Sequence, residues 1–181
     1  MLISAAAAPA VAEEAALRVC LDGHDPPFSA QRGVLGFDVA VSRTMAGRLG
    51  MAFVPQWYEN ERDDNRSAAQ DVGAMLADGL CDLAAGYPLT EGVLGSPSAS
   101  TARMPQHAGG PPPRRLPRVA LQGMAASRPY HRLTLAVVLG PGAGDRVIRS
   151  LADVKGLRVG TPAGTLANTL LLAWHGYPSG E

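Results

Sequence analysis

The chain has 181 residues, 46% of them hydrophobic, with 16 basic and 16 acidic side chains that cancel to a formal charge of zero. That length and apolar content are enough for one packed domain and part of another, which excludes a disordered chain. With no long basic run and only 5% aromatic residues, the chain lacks the charge and stacking surfaces of nucleic-acid binders, and no nucleic-acid partner is expected.

Residues 1–12 (MLISAAAAPAVA) are small and apolar, and they end at the acidic pair Glu13 and Glu14. Ala10 and Ala12 fit a small-residue cleavage site, so this stretch reads as part of a signal peptide and the protein as exported and periplasmic. No segment approaches the roughly 18 apolar residues that a membrane span needs. Cys20 and Cys81 can form a single bridge in an oxidising compartment, and they can equally pack as two buried thiols. Neither cysteine lies in a C-x-x-C, and His24, His107, His131 and His175 show no zinc-type spacing with them. Neither a metal nor another cofactor is expected.

In chain order, residues 17–21 (LRVCL) predict a strand that runs into the turn 22–27 (DGHDPP). Residues 37–49 carry apolar side chains at helical spacing. Asp38 stands near the positive end of that helix, and Gly50 stops it. Residues 51–57 (MAFVPQW) read as a second strand whose Pro55 marks a frayed end or an edge, with a polar loop from residue 58 to 67. A helix over 68–80, with Val72, Met75, Leu76 and Leu80 on one face, leads to a third short strand over 81–87 (CDLAAGY). Two successive strand-helix-strand passes predict a parallel sheet and an α/β class. Ligands of such sheets sit at the carboxyl ends of the strands, where Asp22 and Gly86 fall.

Residues 90–121 change character, with GSPSAS and GGPPPRRLP predicting a long irregular insertion. Its Arg114 and Arg115 read as solvated loop charges. Residues 133–139 (LTLAVVL) predict a strand, 150–154 a helical turn, 157–161 (LRVGT) another strand, and 164–174 a helix with Thr165 near its N-cap. A strand, a glycine turn and a helix start in that order expose backbone amides suited to an anion.

The segments LRVCLDGHDPPFS, GFDVAVSRTMAGRLG, LADGLCDLAAGYPLT, SRPYHRLTLAVVL and SLADVKGLRVGTPAGTLA, in this order over residues 16–174, resemble the family 3 extracellular solute-binding proteins. The resemblance implies a type II periplasmic-binding-protein-like fold with two lobes. The first lobe would span residues 16–132, and the second would start at 133–181 and be incomplete. It implies a solute-binding component of an ABC-type uptake system that holds a small polar ligand between its lobes and presents it to the transporter's membrane component. By position, Asp22, Asp25, Phe28, Gly86, Tyr87, Gly164 and Thr165 would line the ligand site. Asp22 and Asp25 can equally cap their turn, Phe28 can be core, and Gly164 can serve a tight turn.

Amino-acid-binding members place an arginine shortly after the third strand to grip the ligand carboxylate. Here Thr90 is followed by Glu91, Gly92, Val93 and Leu94, which leaves Arg103, Arg128 and Arg132 as the arginines that could substitute. The LRVC, CD and RPY elements also resemble a narrower branch, the binding-protein-like components that accompany periplasmic quinoprotein alcohol dehydrogenases. That likeness implies an accessory role beside the dehydrogenase. No G-x-S-x-G, H-E-x-x-H or Walker loop is present. Asp22, His24 and Asp25 offer only a loose acid-base grouping, so no enzymatic activity is expected.

Overall fold

The computed structural model describes residues 15–33, 35–59, 68–89, 94, 100–112, 115–161 and 166–174. The proposed signal peptide, Arg114, Gly164 and Thr165 lie outside them. The first strand, β1 (Ala16–Asp22), leads into a short hairpin of two-residue strands, β2 (His24–Asp25) and β3 (Ser29–Ala30). Helix α1 (Phe37–Leu49), strand β4 (Ala52–Glu59), helix α2 (Ala68–Ala77) and strand β5 (Leu83–Ala84) follow. Three short strands come next, β6 (Thr101–Arg103), β7 (Gln106–His107) and β8 (Arg118–Ala120), and α3 (Leu166–Trp174) is the last helix described.

The protein is an α/β chain built on a mixed four-stranded sheet in the order β5-β1-β4-β7. β1 is parallel to both β4 and β5, as the two crossover helices dictate. β7 is antiparallel to the end of β4, pairing Tyr58 with His107 and Glu59 with Gln106. This added partner keeps β4 in the sheet through Glu59, two residues past the strand that the sequence predicts. Pro55 pairs with Val19 on one side, and its other side lies beyond the reach of β7, the edge setting that proline tolerates.

The side chains of β1 alternate between the two faces of the sheet, and both faces are covered. Leu17, Val19 and Leu21 pack with Val39 and Ala46 of α1 and with Phe53, Trp57 and Leu83. Cys20 points the other way, joining Val72 and Met75 of α2, Tyr58 and Cys81. Val19 and Leu21 are fully buried, each worth about 2 kcal/mol in transfer from water. Gly50 ends α1 in the left-handed conformation, φ 67°, with its N–H on the Gly47 carbonyl.

The two cysteines form a disulfide, Cys20–Cys81, with 5.6 Å between their Cα atoms. It ties the middle of β1 to the turn that enters β5. Beside it, Asp82 accepts hydrogen bonds from the Arg18 backbone N–H and from Nε and Nη2 of its guanidinium, while Nη1 donates to the Gly79 carbonyl. That pairing holds the Asp82 carboxyl below its usual range. The strand predicted over 81–87 is thereby reduced to Leu83–Ala84, because the residues before it are committed to the bridge and the ion pair. Gly86 then turns the chain at φ +83°.

The described part of 90–121 is more ordered than its composition predicts. β6 and β8 form an antiparallel pair that packs against α2, with Ala102, Met104, Val119 and Leu121 joining its core. Residues 133–139 and 157–161, predicted as strands, are irregular. Leu133, Val137 and Val138 are exposed. Their β-type composition forms no strand because no neighbouring strand among the described residues supplies backbone hydrogen bonds. The helical turn predicted at 150–154 does form, closed by Ser150 and Asp153 in a capping box.

Candidate functional site

The topology marks where a ligand crevice would lie. From β1 the chain crosses by α1 to β4 on one side, and then by α2 to β5 on the other side. The direction of crossing reverses beside β1, and the carboxyl ends of β1 and β5 therefore form a topological switch point. Asp22 and Gly86 stand there, as the sequence predicts.

The turn after β1 is a fixed hairpin. Asp22 Oδ1 accepts the His24 N–H at 2.8 Å, and β2 pairs with β3 through His24 with Ala30 and Asp25 with Ser29. The Gly23 N–H reaches the Tyr58 carbonyl at 2.8 Å, and the Gln31 N–H returns to the Gly23 carbonyl at 3.1 Å. Asp22 therefore caps its own turn, as an Asx residue does, and it also faces outward into a depression.

That depression is open, about 850 Å³, and lined among others by Asp22, His24, Asp25, Gln31, Arg32 and Glu59. A smaller recess of about 160 Å³ adjoins it across Gln31 and Glu59 and reaches Trp57, Tyr58 and His107. Among the described residues, three carboxylates against one arginine give the larger depression a negative bias, which attracts cationic groups. Neither cavity is lined by Arg103, Arg128 or Arg132. Among the described residues, Arg32, next to the turn that carries Asp22, is the arginine that lines this place. Sequence reasoning missed it because Arg32 precedes the first helix and not the third strand's exit.

The other predicted residues lie elsewhere. Phe28 stacks at 5.4 Å from the ring of His131 and does not line the depression. The Tyr87 hydroxyl meets that of Tyr58 at 2.7 Å, and burial, foremost, raises both phenols above their ordinary ionisation range. Tyr87 packs against the core cluster that holds Tyr58, Val72 and Met75. The Gly86 N–H is taken by the Tyr130 hydroxyl at 2.8 Å. That hydroxyl donates in turn to Asp38 Oδ1 at 2.8 Å.

Asp38 is only 1% exposed, although the sequence places it merely as a favourable charge at a helix start. The amides of α1 are met instead by loop carbonyls, Phe37 N–H to Pro27 and Asp38 N–H to Phe28. Burial raises the Asp38 carboxyl above its usual value, and the Tyr130 hydrogen bond and the charge of His131 oppose that rise. Between the ordinary carboxylate range and the raised value, the folded state holds a proton that the unfolded chain has released. Stability from this group is therefore fully present below the ordinary range and is lost as pH rises through the raised value. Asp38→Asn keeps an acceptor oxygen for Tyr130 and cannot ionise. Its stability relative to the parent is expected to grow as pH climbs through that window and then level off, measured by urea melts at a series of pH values. A difference that stays flat with pH would rule out Asp38 as the buried titrating group.

Among the described residues no group of three His, Cys, Asp or Glu side chains is gathered to hold a metal. No described helix is long and apolar enough to cross a membrane. No family model, no curated protein and no solved structure matches the chain.

Proposed function

We propose that this chain is an exported, periplasmic solute-binding protein of the two-lobed type II kind, in which the sheet β5-β1-β4-β7 is the core of the first lobe. The observation that carries the reading is the open polar depression at the carboxyl ends of two neighbouring parallel strands, lined by Asp22, Asp25, Glu59 and Arg32. Its charge suits a small solute that carries an amine or several hydroxyls better than one recognised by its carboxylate. The partner in this reading is the membrane component of an ABC-type transporter, to which the loaded protein delivers its solute.

A second reading rests on a different observation. The switch-point crevice is filled by Tyr130, so a small solute does not reach the Gly86 N–H. A crevice closed by the chain's own side chain favours a binding-protein-like component that contacts a periplasmic quinoprotein dehydrogenase and takes up no solute. A thermal-shift screen against amino acids, other small polar metabolites and such a dehydrogenase separates the two, because whatever binds the native state raises its midpoint.

Solute capture predicts a small-molecule hit whose affinity falls about tenfold in Asp22→Asn. Asparagine keeps the turn hydrogen bond to the His24 N–H and loses the charge, and a charge-assisted contact is worth roughly 1.5–3 kcal/mol. Calorimetric titration checks this, and an unchanged affinity would remove Asp22 from the site. A shift produced by the dehydrogenase alone would replace the first reading with the second.

A further inference from the structure

Residues 125–140 contain no helix or strand, and every one of them is exposed. Tyr130 and His131 nevertheless hold this stretch to the first turn of α1. The Tyr130 ring lies 6.0 Å from Phe37 and 6.2 Å from His131. His131 lies 5.5 Å from Phe37 and 5.4 Å from Phe28. Behind this aromatic wall is a polar floor of one donor, the Gly86 N–H, and one acceptor, the buried carboxylate of Asp38, each 2.8 Å from the same hydroxyl.

The floor is built for that one group. Gly86 adopts φ +83°, and a Cβ there would come within 2.8 Å of Asp38 Oδ2, so glycine is needed to bring the N–H and the carboxylate together. An ammonium can donate to Asp38 and has no lone pair to offer the Gly86 N–H. A carboxylate can accept from Gly86 and is repelled by Asp38. A hydroxyl donates to one and accepts from the other at once, and the Phe37 ring, 6.0 Å from that of Tyr130, adds contact for an aromatic body.

We propose that the Gly86–Asp38 floor with Phe37 beside it is a binding site for a small phenolic molecule, which Tyr130 occupies as an internal ligand and vacates when the 125–140 segment, His131 included, lifts away. The site shares no lining residue with the Asp22–Arg32 depression and does not depend on solute capture there. A tethered occupant competes at a high effective concentration. Free phenols therefore gain entry only where the segment is displaced or its tyrosine is removed.

The test uses Tyr130→Ala in the full chain, with p-cresol, the side chain of tyrosine as a free molecule, as the probe and toluene as the control. At about ten times its dissociation constant, p-cresol is expected to raise the midpoint of Tyr130→Ala by about 4 °C. It should leave the parent protein unmoved and exceed the effect of toluene at equal concentration. Should Tyr130→Ala melt without cooperativity, p-cresol is expected to restore a cooperative transition. Equal shifts from toluene would reduce the site to an apolar hole, and equal shifts in the parent would remove Tyr130 from it. No shift and no restoration would overturn the proposal outright.

Discussion

Replacing Cys20 and Cys81 together by alanine is expected to lower stability by about 4 kcal/mol, the chain entropy that a bridge across 61 residues withholds from the unfolded state. The bridge is central to the packing as well. Cys20 lies in the middle of β1 between Gln56 of β4 and Ala84 of β5, and both cysteines belong to the core beneath α2. β5 pairs with β1 at only two positions, so the covalent tie substitutes for hydrogen bonds that a longer strand would make. Urea unfolding with and without reductant measures the effect. The parent should lose most of the difference on reduction, and the double variant should be indifferent to it. A parent indifferent to reductant would show that the bridge is not closed in solution.

Gly36→Ala is expected to cost about 3 kcal/mol, the upper part of the range for overpacking. A Cβ at this position would lie 2.0 Å from the Phe28 carbonyl oxygen and 2.6 Å from the Ser29 nitrogen. Both are backbone atoms and cannot rotate aside as a side chain would. Relief requires the loop 27–29 and the start of α1 to separate, which breaks the hydrogen bonds from the Phe37 and Asp38 amides to the Pro27 and Phe28 carbonyls. These are the contacts that set Asp38 under Tyr130, so the damage should reach the switch point. Urea midpoints for the variant and its parent measure the loss. Gly47→Ala, where a Cβ meets nothing within 4 Å, serves as the comparison and should be neutral or slightly stabilising in its helix. A Gly36→Ala midpoint equal to that of Gly47→Ala would mean that the close approach of loop and helix does not exist.

Much of the scaffold was legible from local pattern. Helix α1 has the predicted bounds Phe37–Leu49, because apolar spacing, an acidic first turn and a terminal glycine all act within a few residues of one another. β1 and the start of α2 were legible for the same reason, and two crossover helices sufficed to make β1, β4 and β5 parallel. The Asp22 turn and Gly86 were also placed correctly at strand ends, since chain direction in such a sheet fixes which end carries the loops.

What the tertiary structure alone decided are the pairings between residues far apart in the chain. Sequence could not choose between a Cys20–Cys81 bridge and two buried thiols, because that choice depends on β5 returning beside β1. Strands β6, β7 and β8 arose inside a stretch whose proline and glycine content predicts irregularity, since α2 and the end of β4 present surfaces that need cover. The run 133–139 has the composition of a strand and is not one, because a strand is a relation between two segments. Arg32 facing the polar depression and Tyr130 bridging Gly86 and Asp38 across 44 and 92 residues have the same origin. Local chemistry determined which segments fold as helix or strand, and long-range contact determined which side chains share a site.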